Sequence, residues 1–251
     1  MSEKTIIEWT QSTWNPVTGC TKVSAGCTHC YAEAFAERFR GVPGHPYEQG
    51  FDLKLWPERL DLPLRWRQPR AVFVNSMSDL FHPQVPDEFV IEVFKIIKRA
   101  DRHTFQVLTK RPERAAQLSS RLPWPDNLWM GATVEKQAYV SRVRSLLMTG
   151  AHVKFLSCEP LIGPLTLDLK GIQWVIVGGE SGPRARPMRA KWARDIRGQC
   201  DRADVRFFFK QWGSRDADGR YVGRKRAGRL LDGRTWDAMP PPVTAQTRAL
   251  L

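Results

Sequence analysis

Eight short runs rich in β-branched and aromatic residues recur along the chain, and stretches of helical periodicity separate most of them. The runs are TIIEW (5–9), FDLKLW (51–56), AVFVNS (71–76), TFQVLT (104–109), LWMGAT (128–133), VKFLSC (153–158), WVIVGG (174–179) and VRFFFK (205–210). Several are unbroken apolar segments, the pattern of strands covered on both faces. Helices are predicted over 30–40, 87–100, 111–120, 135–149 and 189–203. In DEFVIEVFKIIKRA, the residues Phe89, Val90, Val93, Phe94, Ile96 and Ile97 share one face. Asp87 and Glu88 open that helix and Lys98 and Arg99 close it, which complements its dipole. Alternating strand and helix requires an α/β fold with a largely parallel sheet. Eight strands predict a (β/α)8 barrel, or an incomplete and distorted TIM-like one, because the link PERLDLPLRWRQPR between the second and third runs is short and broken by proline. The barrel is expected over 1–213. A basic, hairpin-like extension with two Asp-Gly turn signals follows over 214–238, and a disordered tail over 239–251.

Polar residues gather where the apolar runs end. These are Asn75, Ser76, Ser78 and Asp79 after the third run, Thr109, Lys110 and Arg111 after the fourth, and Thr133 and Glu135 after the fifth. Ser157, Cys158 and Glu159 end the sixth, Gly178, Gly179, Glu180 and Ser181 the seventh, and Lys210, Gln211 and Trp212 the eighth. In barrels that end carries the active site. Helix capping accounts for any one of these positions, but less easily for the same pattern after six strands. Arg184, Arg186 and Arg189, with Lys110 and Arg111, are candidates to hold phosphates. Trp9, Trp14, Trp212 and Tyr31 are candidates to stack on bases, although rim packing explains any single one of them.

The first run leads to a loop, residues 15–31, holding Cys20, Cys27 and Cys30, three of the chain's five cysteines. The start MSEKTIIEWTQS lacks a signal-peptide core, and no run nears the roughly 18 apolar residues of a membrane span. A cytoplasmic location is therefore expected, where disulfides are rare and clustered thiols point to a metal or to redox chemistry. Structural zinc takes four ligands, so the loop would need a fourth from His29, His45, Cys158 or Cys200. A [4Fe–4S] cluster held by three cysteines instead leaves one iron open to a small molecule, and the ligand count favours it. The formal net charge of +13 favours a polyanionic partner, nucleic acid above all.

A three-cysteine loop after the first barrel strand, ending in C-x-x-C and followed by Tyr31, resembles the radical S-adenosylmethionine superfamily. Its usual spacing is C-x3-C-x2-C, whereas this chain has C-x6-C-x2-C. More closely, the chain resembles a phage- and bacteria-associated family of largely unknown function described by a three-Cys motif. The segments that carry this likeness are WNPVTGCTKVSAGCTHCYAE, VNSMSDLFH, VLTKRPER, FLSCEPLIGPL, WVIVGGESGPRARPM and FFKQWG. The superfamily resemblance implies a [4Fe–4S] cluster on Cys20, Cys27 and Cys30, and S-adenosylmethionine cleaved reductively to methionine and a 5′-deoxyadenosyl radical. It also implies an external electron donor. Cofactor contacts are expected from Tyr31, Asn75, Ser76, Thr109, Lys110, Gly178, Gly179, Glu180 and Ser181. Cys158 and Glu159 are the expected catalytic pair, although a buried free cysteine also packs simply as a small hydrophobe. Superfamily members use Gly-Gly-Glu after the second strand, whereas here it follows the seventh run. The implied activity is that of a lyase or modifying enzyme acting on nucleic acid or a nucleotide, in DNA lesion repair or base modification, with spore photoproduct lyase as one pattern. The alternatives are a non-catalytic nucleic-acid-binding protein with a structural zinc or iron–sulfur site, and a cluster serving electron transfer or light-driven redox chemistry. The sequence sets no oligomeric state.

Overall fold

The computed structural model describes residues 5–241. Its strands are β1 (Ser12–Trp14), β2 (Val17–Thr18), β3 (Lys54–Leu55), β4 (Ala71–Val74), β5 (Thr104–Thr109), β6 (Leu128–Thr133), β7 (Val153–Cys158), β8 (Trp174–Gly178) and β9 (Arg206–Gln211). Its α-helices are α1 (Tyr31–Ala36), α2 (Leu62–Arg65), α3 (Asp87–Arg99), α4 (Pro112–Gln117), α5 (Ser141–Leu147), α6 (Ala190–Ala203) and α7 (Arg224–Ala227). Seven strands form one sheet in the order β1-β4-β5-β6-β7-β8-β9, each pair parallel. Spatial order follows chain order, so the sheet grows in one direction, as a barrel wall does. Among the described residues β1 and β9 do not pair. The fold is an incomplete α/β barrel.

Register sorts the two faces. Thr13, Phe73, Gln106, Trp129 and Val153 lie in one row, Leu108, Gly131, Phe155 and Trp174 in the next, and Thr133, Ser157, Ile176 and Phe208 in a third. Trp9, Phe73, Trp129, Phe155, Trp174 and Phe208 pack together on this inner face. The Trp9 ring lies 4.6 Å from Phe73 on β4 and 6.1 Å from Trp174 on β8. Those strands would be about 19 Å apart in a flat sheet. One ring reaches both because the sheet curls around it. The opposite parity, including Val74, Val107, Met130, Leu156, Val177 and Phe209, belongs to the second core, which α3 joins through Val90, Val93, Phe94 and Ile97. Burying each such α3 side chain contributes about 1.5–3 kcal/mol.

Two predicted strands are not barrel strands. Residues 5–9 fold back through a turn, with the Thr10 N–H on the Ile7 carbonyl, and β1 begins only at Ser12. Residues 51–56 yield only the two residues of β3, which pair antiparallel with β2 in a separate ribbon. The wall therefore has seven strands instead of eight. The extension after β9 holds short antiparallel bridges, Arg215–Tyr221 and Leu231–Arg234, and joins β9 through Phe208–Asp237. Most of the expected tail, from residue 242 onward, lies outside the described residues, while Met239 packs against the inner aromatic cluster.

Candidate functional site

A cavity of about 680 Å³ opens where the parallel strands end. Cys20, Cys27 and Cys30 all line it. So do Tyr31, Asn75, Ser76, Thr109, Lys110, Glu159, Gly179, Glu180 and Ser181 among the residues expected from the sequence. The strand ends do more than line the cavity, because three of them grip the cysteine loop.

The first grip uses Asp79 and Arg111, both buried. Asp79 accepts from Thr109 Oγ1 at 2.7 Å, from the Lys110 N–H at 3.1 Å and from Arg111 Nη1 at 3.0 Å. Arg111 then donates to Cys20 Sγ at 3.4 Å and to the Thr21 carbonyl at 2.9 Å. The second grip is Glu135, with no exposed surface, paired with Arg142 at 2.9 Å. Ser24 Oγ donates to its other oxygen, and the Tyr139 hydroxyl accepts the Ala25 N–H at 2.9 Å. Gly26 sits against Glu135, where a Cβ would come within 2.5 Å of the carboxylate. The third grip is Glu180. It accepts the Arg186 N–H at 2.8 Å, Arg186 Nε at 2.9 Å and His29 Nδ1 at 3.2 Å, while Arg186 Nη2 donates to the Ala25 carbonyl at 2.9 Å. Burial works to raise the Glu180 carboxyl, but the Arg186 and His29 donors outweigh it and hold the group below its ordinary range.

These contacts redistribute the roles expected from sequence. Arg111 and Arg186, candidate phosphate ligands, are engaged with the loop. Gly179 is small because the chain itself crosses it: a Cβ there would stand 1.9 Å from the Trp212 carbonyl oxygen. Gly178, at the end of β8, faces the Glu159 side chain. The Gly-Gly-Glu stretch follows the sixth strand of the sheet and serves strand contact and loop anchoring. Cys158 has the outward parity of β7 and lies fully buried in the helix-side core, away from the cavity lining. Burial pushes its thiol far up, and the Cys200 thiol, also in that core, is pushed up to about 12. Trp14 and Trp212 pack in the same core. His45 stacks on Phe39 with ring centres 3.8 Å apart. Among the described residues no three His, Cys, Asp or Glu side chains, the loop cysteines included, are already gathered at metal-binding spacing.

The donors around the thiols nonetheless suit sulfur ligands. Burial and the Asp79 charge raise Cys20, and Arg111 opposes them. Burial raises Cys30, and the backbone N–H groups of Glu33 and Ala32 at the start of α1 oppose it. Ser24 Oγ, its own proton on Glu135, lies 3.6 Å from Cys27 Sγ and can accept from that thiol; the sulfur donors are those at Cys20 and Cys30. Thiolate ligands need such donors once they lose their protons. Arg142, Tyr139 and Ser24 escaped the sequence reading. Their signal was faint, since Arg142 and Tyr139 have no motif around them and Ser24 is hidden among the cysteines of its loop. Lys210 pairs with Glu159 at 2.6 Å on the inner wall.

A family model described as "Protein of unknown function (DUF5131)" matches residues 4–240. The chain belongs to this family. The match is to a family of unknown function, as expected from the sequence, and does not extend to the three-Cys description of it. No curated protein matches this DUF5131 member. Two solved structures of spore photoproduct lyase match it. One is a double mutant with bound AdoMet and dinucleoside spore photoproduct, at 12% identity and a TM-score of 0.43, covering 66% of this chain and 55% of that one. The other is a complex with dinucleoside spore photoproduct, at 11% identity and a TM-score of 0.43, covering 73% of this chain and 58% of that one. The DUF5131 chain thus spans a little over half the length of those proteins. No helix among its described residues is long and apolar enough to cross a membrane.

Proposed function

We propose that the protein is an iron–sulfur enzyme of the radical S-adenosylmethionine type that acts on nucleic acid or a nucleotide. One observation carries the reading: all three loop cysteines line the large cavity at the strand ends, together with Asn75, Lys110 and Glu159. Cys20, Cys27 and Cys30 would hold a [4Fe–4S] cluster, three thiolates for four irons. When bound, such a cluster supplies one electron to split a carbon–sulfur bond of S-adenosylmethionine, and an external donor must reload it. The chain's own part is to hold the loop still, to place donors on the sulfurs and to surround the reacting groups with an apolar wall. The Lys210–Glu159 pair puts a charge-neutral polar patch on that wall. The excess of 39 Lys and Arg over 26 Asp and Glu suits a phosphate-bearing substrate.

A binding protein with a metal clip is the rival reading. A clip is needed where a loop has no other anchor, whereas this loop already has three carboxylate-centred grips. The test is anaerobic purification with iron and sulfide analysis, then electron paramagnetic resonance of the reduced protein with and without S-adenosylmethionine. About four irons per chain and a signal altered by S-adenosylmethionine are expected. Cys27→Ala should lower the iron to near zero while leaving the fold intact. One tightly held zinc and no iron would falsify the proposal.

A further inference from the structure

Asn75 is at odds with its surroundings. It follows β4 on the cavity wall and is 2% exposed, yet neither its Nδ2 nor its Oδ1 has a hydrogen-bond partner. Its backbone adopts φ of 61°, in the left-handed region that favours glycine. Its neighbours are satisfied: the Asn15 carboxamide oxygen accepts both Ser76 Oγ and the Met77 N–H. A buried, unpaired amide on strained backbone is costly, and strain of this kind concentrates where a ligand is held. Gln211, on β9, lines the same cavity with its Oε1 also unpartnered and its Nε2 fixed on the Gly179 carbonyl.

A carboxamide presents one donor beside one acceptor. That pair matches the edge of a nucleobase, which offers an acceptor and a donor at the same spacing. The walls suit a flat heterocycle, since Phe73 and Tyr31 bring rings to the cavity. Lys110 adds positive charge to the lining, which a bare heterocycle would not need and a nucleotide would use. We infer that Asn75 reads the hydrogen-bonding edge of a nucleobase held in this cavity, with Gln211 offering a further acceptor. The inference rests on the reading of the cavity as a nucleotide-handling site. The base belongs either to a nucleic-acid substrate or to the adenine of S-adenosylmethionine.

Asn75→Gly is the decisive variant, because glycine accepts the positive φ and removes only the amide. The full chain, purified anaerobically, is titrated with three probes: a short single-stranded oligonucleotide, an abasic oligonucleotide of equal length, and S-adenosylmethionine. Asn75→Gly is expected to melt at or above the parent temperature, to keep the parent iron content and to lose roughly 10- to 100-fold in affinity for one base-bearing probe. Loss confined to the base-bearing oligonucleotide assigns the base to the substrate, and loss confined to S-adenosylmethionine assigns it to the cofactor. Either result supports the inference. Parent-like affinity for both probes in a folded Asn75→Gly protein overturns it. Iron content, read on the same samples, reports separately on the iron–sulfur proposal.

Discussion

Glu135→Ala should lower the midpoint of thermal unfolding by roughly 6–20 °C. Glu135 has no exposed surface, and Arg142 beside it is 6% exposed. Removing the carboxylate strands a buried guanidinium, which costs about 3–5 kcal/mol, and each kcal/mol moves the midpoint of a chain this size by about 2–4 °C. The loss is specific to the unpaired charge. Glu135→Met combined with Arg142→Met should by contrast keep most of the stability, because an apolar pair of similar volume is close to neutral in such a site. The single variant should also loosen the cysteine loop, since Ser24 loses its acceptor. Limited proteolysis between residues 20 and 30 reads that second effect. Equal melting of parent and Glu135→Ala would remove this grip from the account.

Gly179→Ala should be worse tolerated than Gly178→Ala. At position 179 the new methyl meets backbone, the Trp212 carbonyl at 1.9 Å, and backbone here is pinned by the Gly179 N–H on the Gln211 carbonyl and the Ser214 N–H on the Glu180 carbonyl. A cost of about 3 kcal/mol or more, or failure to accumulate as soluble protein, is expected. At position 178 the methyl meets only the Glu159 side chain, 3.2 Å away, which can yield. Circular dichroism melts of the two variants compare them directly. If the glycines were there to admit a ligand, both variants would fold like the parent and only binding would suffer.

The α/β class and most of the wall were legible in the sequence. The runs at 104–109, 128–133, 153–158 and 174–179 are largely buried on both faces, and burial on both faces writes itself as mostly apolar residues with few polar interruptions, such as Gln106 and Lys154. The same property hid the direction of Cys158. When both faces are apolar, alternation does not say which parity points inward, and here Ser157 and Glu159 do while Cys158 does not. The run at 5–9 misled because β-branched residues report an affinity for sheets without guaranteeing a partner, and Ile6 is 79% exposed. The grips on the cysteine loop were not legible at all. Ser24 meets Glu135 across 111 positions of sequence and His29 meets Glu180 across 151, and no local pattern encodes such distances.

The gap between β1 and β9 changes what holds the wall shut. Where a closed barrel would be zipped by a ladder, this one is fastened across the seam by a clasp, Arg224 on Glu8 at 2.7 Å, linking the N-terminal segment to the extension. Inside the seam Trp9 of the N-terminal segment packs in one cluster with Phe208 of β9, so this wall is shut by side chains where a closed barrel is shut by backbone.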